Sequence, residues 1–126
     1  MRYIALIAAL GLAACTPETN PTDPAPVASF RQLASVSDME AILGKTMRID
    51  SNMVVISSDG TFAGNFGGAV LEGTWEMQDG FWCRTLLDYS GPAPTTDCQL
   101  FELKGRELRG TRDRGNGSQF TYTIDA

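Results

Sequence analysis

The chain has 126 residues, a formal net charge of −5, three cysteines and no histidine. That length allows one domain with a modest core and excludes two. The acidic balance argues against nucleic acid as a partner, and without histidine neither an imidazole base nor the usual zinc ligand set is available.

Met1-Arg2 supplies a short positive region, Tyr3 to Leu12 an apolar run, and Ala13-Ala14 the small residues that precede a signal-peptidase cleavage point. About twenty apolar residues are needed to cross a bilayer core, and this run is interrupted by Thr16 and Pro17 well before that. Residues 1–14 are therefore expected to be a removed signal peptide. Leu12-Ala13-Ala14-Cys15 resembles the lipobox of bacterial lipoprotein signals: a Leu, two small residues and a Cys that becomes the lipidated N-terminus. The resemblance covers residues 1 to 15 and implies lipidation of Cys15, with the membrane as a partner through that anchor. Several acyl chains hold stably, each buried CH₂ contributing about 0.8 kcal/mol. Thr16, rather than Asp, after the cysteine implies sorting to the outer membrane of the bacterial envelope, with the domain facing the periplasm. The alternative is an ordinary secretory signal cleaved near Ala14, with Cys15 incidental. Residues 15–28 hold Pro17, Pro21, Pro24 and Pro26 among polar side chains and read as an extended, solvated tether.

One folded domain is expected over residues 29–126. Ser37-Asp38-Met39-Glu40 fits a capping box and Gly44 sits where a helix would stop, so one short helix is predicted there. From Lys45 to Asp125, turn signals recur at Asp59-Gly60, Gly67-Gly68, Asp79-Gly80, Gly91-Pro92, Gly105 and Gly115-Asn116-Gly117. That spacing predicts antiparallel strands in sequence order. Phe62, Gly64 and Phe66 share one face of their strand, as do Leu71, Gly73, Trp75 and Met77, and likewise Phe120, Tyr122 and Ile124. The remaining strands are predicted at Thr46 to Asp50, Met53 to Ser57, Phe81 to Leu87, Cys98 to Leu103 and Glu107 to Arg112. Such a meander buries its aromatics best by closing on itself. The fold class expected is all-β: a small antiparallel up-and-down eight-stranded barrel of lipocalin or inhibitor-barrel kind, with one short N-terminal helix. Trp75, Phe62, Phe66, Phe101, Phe120 and Tyr122 are expected largely to fill its narrow interior.

With Cys15 assigned to lipid, Cys83 and Cys98 remain and read as one disulfide in an oxidising compartment. Paired residues in a hairpin keep a constant index sum, and for these two its centre falls between Ser90 and Gly91. They should face each other directly across neighbouring strands. Pro92 and Pro94 cannot donate to a ladder, so a wide loop is expected at the tip.

Five cations, Lys104, Arg106, Arg109, Arg112 and Arg114, stand close together in an otherwise acidic chain. If Leu108 points inward, strand parity sends Gly110 and Arg112 inward too. An arginine near a barrel mouth must then pair with an acid or meet an anionic ligand, and Glu72 and Glu76 lie on the polar side of their own strand. The alternative is an outward, solvated edge with Glu107 and Asp113 as local partners. Trp82 and Arg84 share a face and, with Phe81, break the alternation, so one aromatic must face out. An exposed Trp82 beside Arg84 would suit an interface, and Trp82 capping a barrel end is the alternative. The candidate binding surface is thus Trp82, Arg84, Arg109, Arg112 and Arg114, with Pro92 and Pro94 on the loop.

No catalytic, cofactor or metal site is expected. Without histidine or a free cysteine the options shrink to carboxylates, Lys45, Lys104 and Ser or Thr, and nothing splits the pKa values of Glu72 and Glu76. Phe66-Gly67-Gly68 lacks the G-x-G-x-x-G order and reads as a turn, and Asn116-Gly117-Ser118 as a hairpin turn.

Gly73-Thr74-Trp75-Glu76, Asp79-Gly80-Phe81-Trp82-Cys83-Arg84-Thr85, Asp97-Cys98 and Thr111-Arg112-Asp113-Arg114-Gly115 together resemble a group of short uncharacterised alphaproteobacterial exported proteins. Some of that group carry a dihydrodipicolinate reductase label, which implies a nucleotide-binding domain. This chain has neither the glycine fingerprint nor the length for one. In architecture it is also similar to the lysozyme-inhibitor and metalloprotease-inhibitor lipoproteins of the periplasm, which combine such a barrel with one disulfide. Three functions are expected, in this order: a non-catalytic binding or structural lipoprotein, an inhibitor of a lytic enzyme presenting Leu87 to Asp97, and a small-molecule carrier. Beyond the membrane, a protein or an anionic ligand is the expected partner.

Overall fold

The computed structural model describes residues 29–92 and 94–126; the signal, Cys15 and the tether lie outside the described residues. Nine strands form one antiparallel sheet: β1 (Arg31–Gln32), β2 (Thr46–Ile49), β3 (Asn52–Ile56), β4 (Thr61–Phe66), β5 (Ala69–Gln78), β6 (Phe81–Leu86), β7 (Thr96–Lys104), β8 (Glu107–Thr111) and β9 (Gln119–Ile124). From β2 to β9 each strand pairs with its sequence neighbour, and β9 pairs back onto β2, closing an eight-stranded barrel. The expected all-β barrel is therefore present, with its strands within a few residues of their predicted limits.

Two details differ from the sequence reading. The two-residue β1 was not expected; it continues the β6 row along the far half of β7, with Arg31 opposite Leu103. The helix, α1 (Val36–Met39), is capped two residues earlier than predicted. Ser35 Oγ accepts from Asp38 N, and the Asp38 carboxylate accepts from the backbone N–H groups of Ala34 and Ser35. The motif Ser35-Val36-Ser37-Asp38 satisfies the same box with a shorter acid, and those bonds, Ala34 N–H foremost, hold the Asp38 carboxyl below its ordinary range. Packing selects this start, because it buries Met39, and Ile42 beyond it, completely. Gly44, at φ +73°, ends the turn as expected.

Turn chemistry sets the strand lengths. Asp79 and Gly80, both at positive φ, form the tight connection between β5 and β6, the pair of residue types that a two-residue hairpin demands. The register of β6 on β7 places Cys83 opposite Cys98, as their index sum requires, and the two are disulfide-bonded. The loop between them is wide, spanning residues 87–95.

The interior alternation is regular. Val54, Ile56, Phe62, Trp82, Leu86, Phe101, Leu108 and Ile124 form one buried cluster with Leu33, Met39, Ile42 and Met47. The N-terminal segment covers one end of the barrel: Leu33 N–H donates to Phe101 O, Gln32 Nε2 to Gly80 O, and Gly44 N–H to Ile56 O. Among the described residues, no helix is long and apolar enough to cross a membrane.

Candidate functional site

Opposite α1, the barrel holds a cavity of about 280 Å³. Its mouth is built from connections: Phe66, Ala69 and Val70 around the β4–β5 turn, Tyr89 in the β6–β7 loop, and Arg112 and Phe120 flanking the β8–β9 connection. Its floor is Trp82 stacked on Phe101 at 4.7 Å, with the edge of Phe62 against the indole at 5.5 Å. The aromatics do not fill the interior as expected, and the glycines explain why. Gly73 faces Phe62 across the β4–β5 ladder and Gly110 faces Phe120 across β8–β9, and each ring lies over its glycine where a Cβ would stand. The rings are drawn against the wall instead of meeting in the middle. Trp75 turns away from the space, its Nε1 donating to Ser57 O at 2.9 Å.

Polar groups converge on this cavity from three strands. Arg84 on β6 is 6% exposed, and its Nη1 donates to the carbonyls of Pro94 (3.0 Å) and Thr95 (3.1 Å), pinning the base of the β6–β7 loop. Burial pulls its guanidinium below its ordinary pKa and Asp97 opposes that, but an arginine stays charged at any ordinary pH. Gln99, 3% exposed, donates to Asp97 Oδ2 at 3.0 Å. Tyr122 lines the wall, and desolvation pushes its phenol up to about 12 against the pull of Arg112 and Arg84. Trp82 Nε1, fully buried, has no hydrogen-bond partner among the described residues.

The expected surface therefore divides. Trp82 and Arg84 present no outer face: both are interior, and it is Phe81 that turns outward, half-buried, with the Arg114 guanidinium 5.5 Å above its ring. The stacking on Phe101 and the apolar interior hold Trp82 in. Leu108 is fully buried and Gly110 is buried with it, but the alternation does not carry on to Arg112, because Thr111 is buried too; Arg112 lines the cavity mouth with its side chain partly exposed. β8 ends at Thr111, and the Arg112–Gly115 turn, left-handed at Asp113 and Arg114, sets Arg112 against Asp97 at 3.7 Å and over Phe120 at 5.5 Å. Of the expected local acids, Glu107 pairs with Lys104 at 3.8 Å, and neither Glu107 nor Asp113 pairs with Arg112 among the described ion pairs. Arg109 and Arg114 lie elsewhere, the first with Glu102 and the Phe30 ring, the second with Asp79. Pro92 and Pro94 are exposed on the loop, where only the Pro94 carbonyl reaches inward.

Sequence reasoning missed Asp97, Gln99 and Tyr89 as site residues. Asp97 was within reach, because the index sum that pairs Cys83 with Cys98 also pairs Arg84 with Asp97. Tyr89 carried no signal, lying in an irregular loop. Among the described residues no group of three His, Cys, Asp or Glu side chains could hold a metal ion. Comparison of the chain with protein-family models, curated proteins and solved structures finds no match.

Proposed function

We propose that the protein is an envelope lipoprotein, anchored through Cys15, whose disulfide-bonded barrel is a non-catalytic binding module for a small, mainly apolar molecule. The observation that carries this reading is the open cavity, with its aromatic floor and a few buried polar groups. A purely structural module has no need of inward glycines that hold space open. The cavity lies at the lower limit of ligand-site sizes, equivalent to about nine water-sized volumes. Calorimetric titration with 1-octanol and with octanoate tests it. Saturable one-to-one binding of at least one, lost by tenfold or more in Leu71→Trp, supports the reading, and no saturable binding of either overturns it. Fractionation tests the anchor: Cys15→Ala should release the protein from membranes, and persistent membrane association would remove lipidation from the account.

The inhibitor reading keeps one observation in its favour. The β6–β7 loop is tied at its base by Arg84 and the disulfide, and Leu87 stands 52% exposed on it. Pro92 and Pro94 replaced together by Gly should weaken inhibition of a lytic enzyme while leaving the melting temperature nearly unchanged; unaltered inhibition would discard that loop.

A further inference from the structure

We propose that the cavity selects an apolar monocarboxylate, with its acyl or aryl group on the aromatic floor and its carboxylate at the guanidinium groups of Arg84 and Arg112. The inference rests on the cavity being a ligand site and adds the charge and class of what it takes.

Charge accounting carries it. The cavity wall contains two arginines, Arg84 and Arg112, and no aspartate or glutamate among its described lining residues. The acid paired with Arg112, Asp97, does not line the cavity, and its oxygens are already engaged. Oδ1 accepts from Asp113 N–H at 3.1 Å, and Oδ2 accepts from Gln99 Nε2 at 3.0 Å and lies 3.7 Å from Arg112 Nη1. Asp97 is opposite Arg84 in the ladder, yet the described ion pairs tie it to Arg112. One carboxylate therefore serves two guanidinium groups, one of them 6% exposed, which leaves an excess of one positive charge in an apolar chamber of an acidic protein. A buried charge without a full partner is costly, and a ligand that brings one negative charge removes that cost.

The neutral polar groups point the same way. The Tyr122 hydroxyl keeps its proton, and the Trp82 Nε1–H is a buried donor without a partner among the described residues. Donors thus dominate the wall, and a ligand must bring acceptors. A dianion would exceed the charge on offer and forfeit the apolar contacts of Phe62, Phe66, Phe101 and Phe120. A diacyl phospholipid exceeds the volume, whereas a carboxylate of about nine or ten non-hydrogen atoms matches it.

Octanoate and 1-octanol, equal in length and different in charge, separate the two layers of the argument in calorimetric titrations of the full chain. Octanoate should bind at least tenfold tighter than 1-octanol at low salt. That preference should fall to within twofold in Arg112→Gln, whose side chain is 42% exposed, and in Arg84→Gln, for each variant that folds. Equal affinities for acid and alcohol, or a preference that survives in Arg112→Gln and in every folded Arg84 variant, would overturn the charge inference while leaving the cavity as a ligand site. Failure of both probes would overturn the cavity reading itself.

Discussion

Gly110 stands directly opposite Phe120 in the β8–β9 ladder, and the phenyl ring lies across the glycine so closely that a Cβ there would strike its Cζ and Cε2 atoms. The same arrangement joins Gly73 to Phe62 on the other side of the barrel. An aromatic ring that covers an inward glycine stabilises a strand lacking a side chain and, in a barrel this small, keeps the centre clear.

Gly110→Ala should therefore destabilise the protein by about 1–3 kcal/mol, because the ring must move off its place into the cavity. It should also weaken ligand binding. Gly110→Ala combined with Phe120→Leu should recover part of that stability, giving a coupling energy of at least about 0.5 kcal/mol in a double-mutant cycle. Strict additivity of the two substitutions in chemical denaturation would show that ring and glycine are energetically independent.

The helix cap is open to a two-residue test. Ser35→Ala removes the acceptor for Asp38 N–H and should cost about 1 kcal/mol, lowering the melting temperature by about 4–8 °C in a domain of this size. Ser37 is exposed, and its hydroxyl makes no hydrogen bond among those described, so Ser37→Ala should stay within about 0.5 kcal/mol of the parent. The reverse order of effects in a thermal melt would restore the cap to Ser37.

Barrel closure, strand order, the disulfide and its register were legible because each rests on a local rule: period-two alternation, glycine and aspartate turns, and the constant index sum of a hairpin. The cap was misplaced because two overlapping boxes obey the same rule, and only the burial of Met39 and Ile42 chooses between them. Part of the site was legible: parity turned Leu108 and Gly110 inward, whereas Arg112 lies beyond the end of β8 and is placed by the left-handed turn that follows. The cavity was not. Counting aromatics says how much volume enters the barrel but not whether a ring lies flat on a facing glycine, which depends on the pairing of Phe62 with Gly73 and Phe120 with Gly110.

The Cys83–Cys98 bond fixes the β6–β7 register, and with it the placing of Asp97 opposite Arg84. Closing a loop of this length constrains the unfolded chain by about 3 kcal/mol, a large share of what a small domain holds in reserve. Reduction, or Cys83→Ala with Cys98→Ala, should lower stability by about that amount with little change in far-ultraviolet circular dichroism at low temperature. A reduced protein that unfolds at the same denaturant concentration as the oxidised one would show that strand pairing alone sets the register.

Tyr122 gives the site an alkaline signature. Its phenol titrates near 10.0 in an unfolded chain and is pushed up to about 12 here by desolvation, with Arg112 and Arg84 opposing. The folded state thus holds the proton more tightly than the unfolded state. The resulting stability is fully present below pH 10 and is lost as pH rises toward 12, since only the unfolded chain releases the proton in that window. Melting temperatures of the parent should accordingly fall more steeply between pH 10 and 12 than those of Tyr122→Phe. In the folded protein the phenolate absorbance assigned to Tyr122, by difference from Tyr122→Phe, should emerge only near the top of that range. An assigned phenolate already half formed near pH 10 would mean that water reaches the hydroxyl freely. The cavity wall at Tyr122 would then be wet, and its neutral hydroxyl would lose the advantage of offering a desolvated donor to a carboxylate.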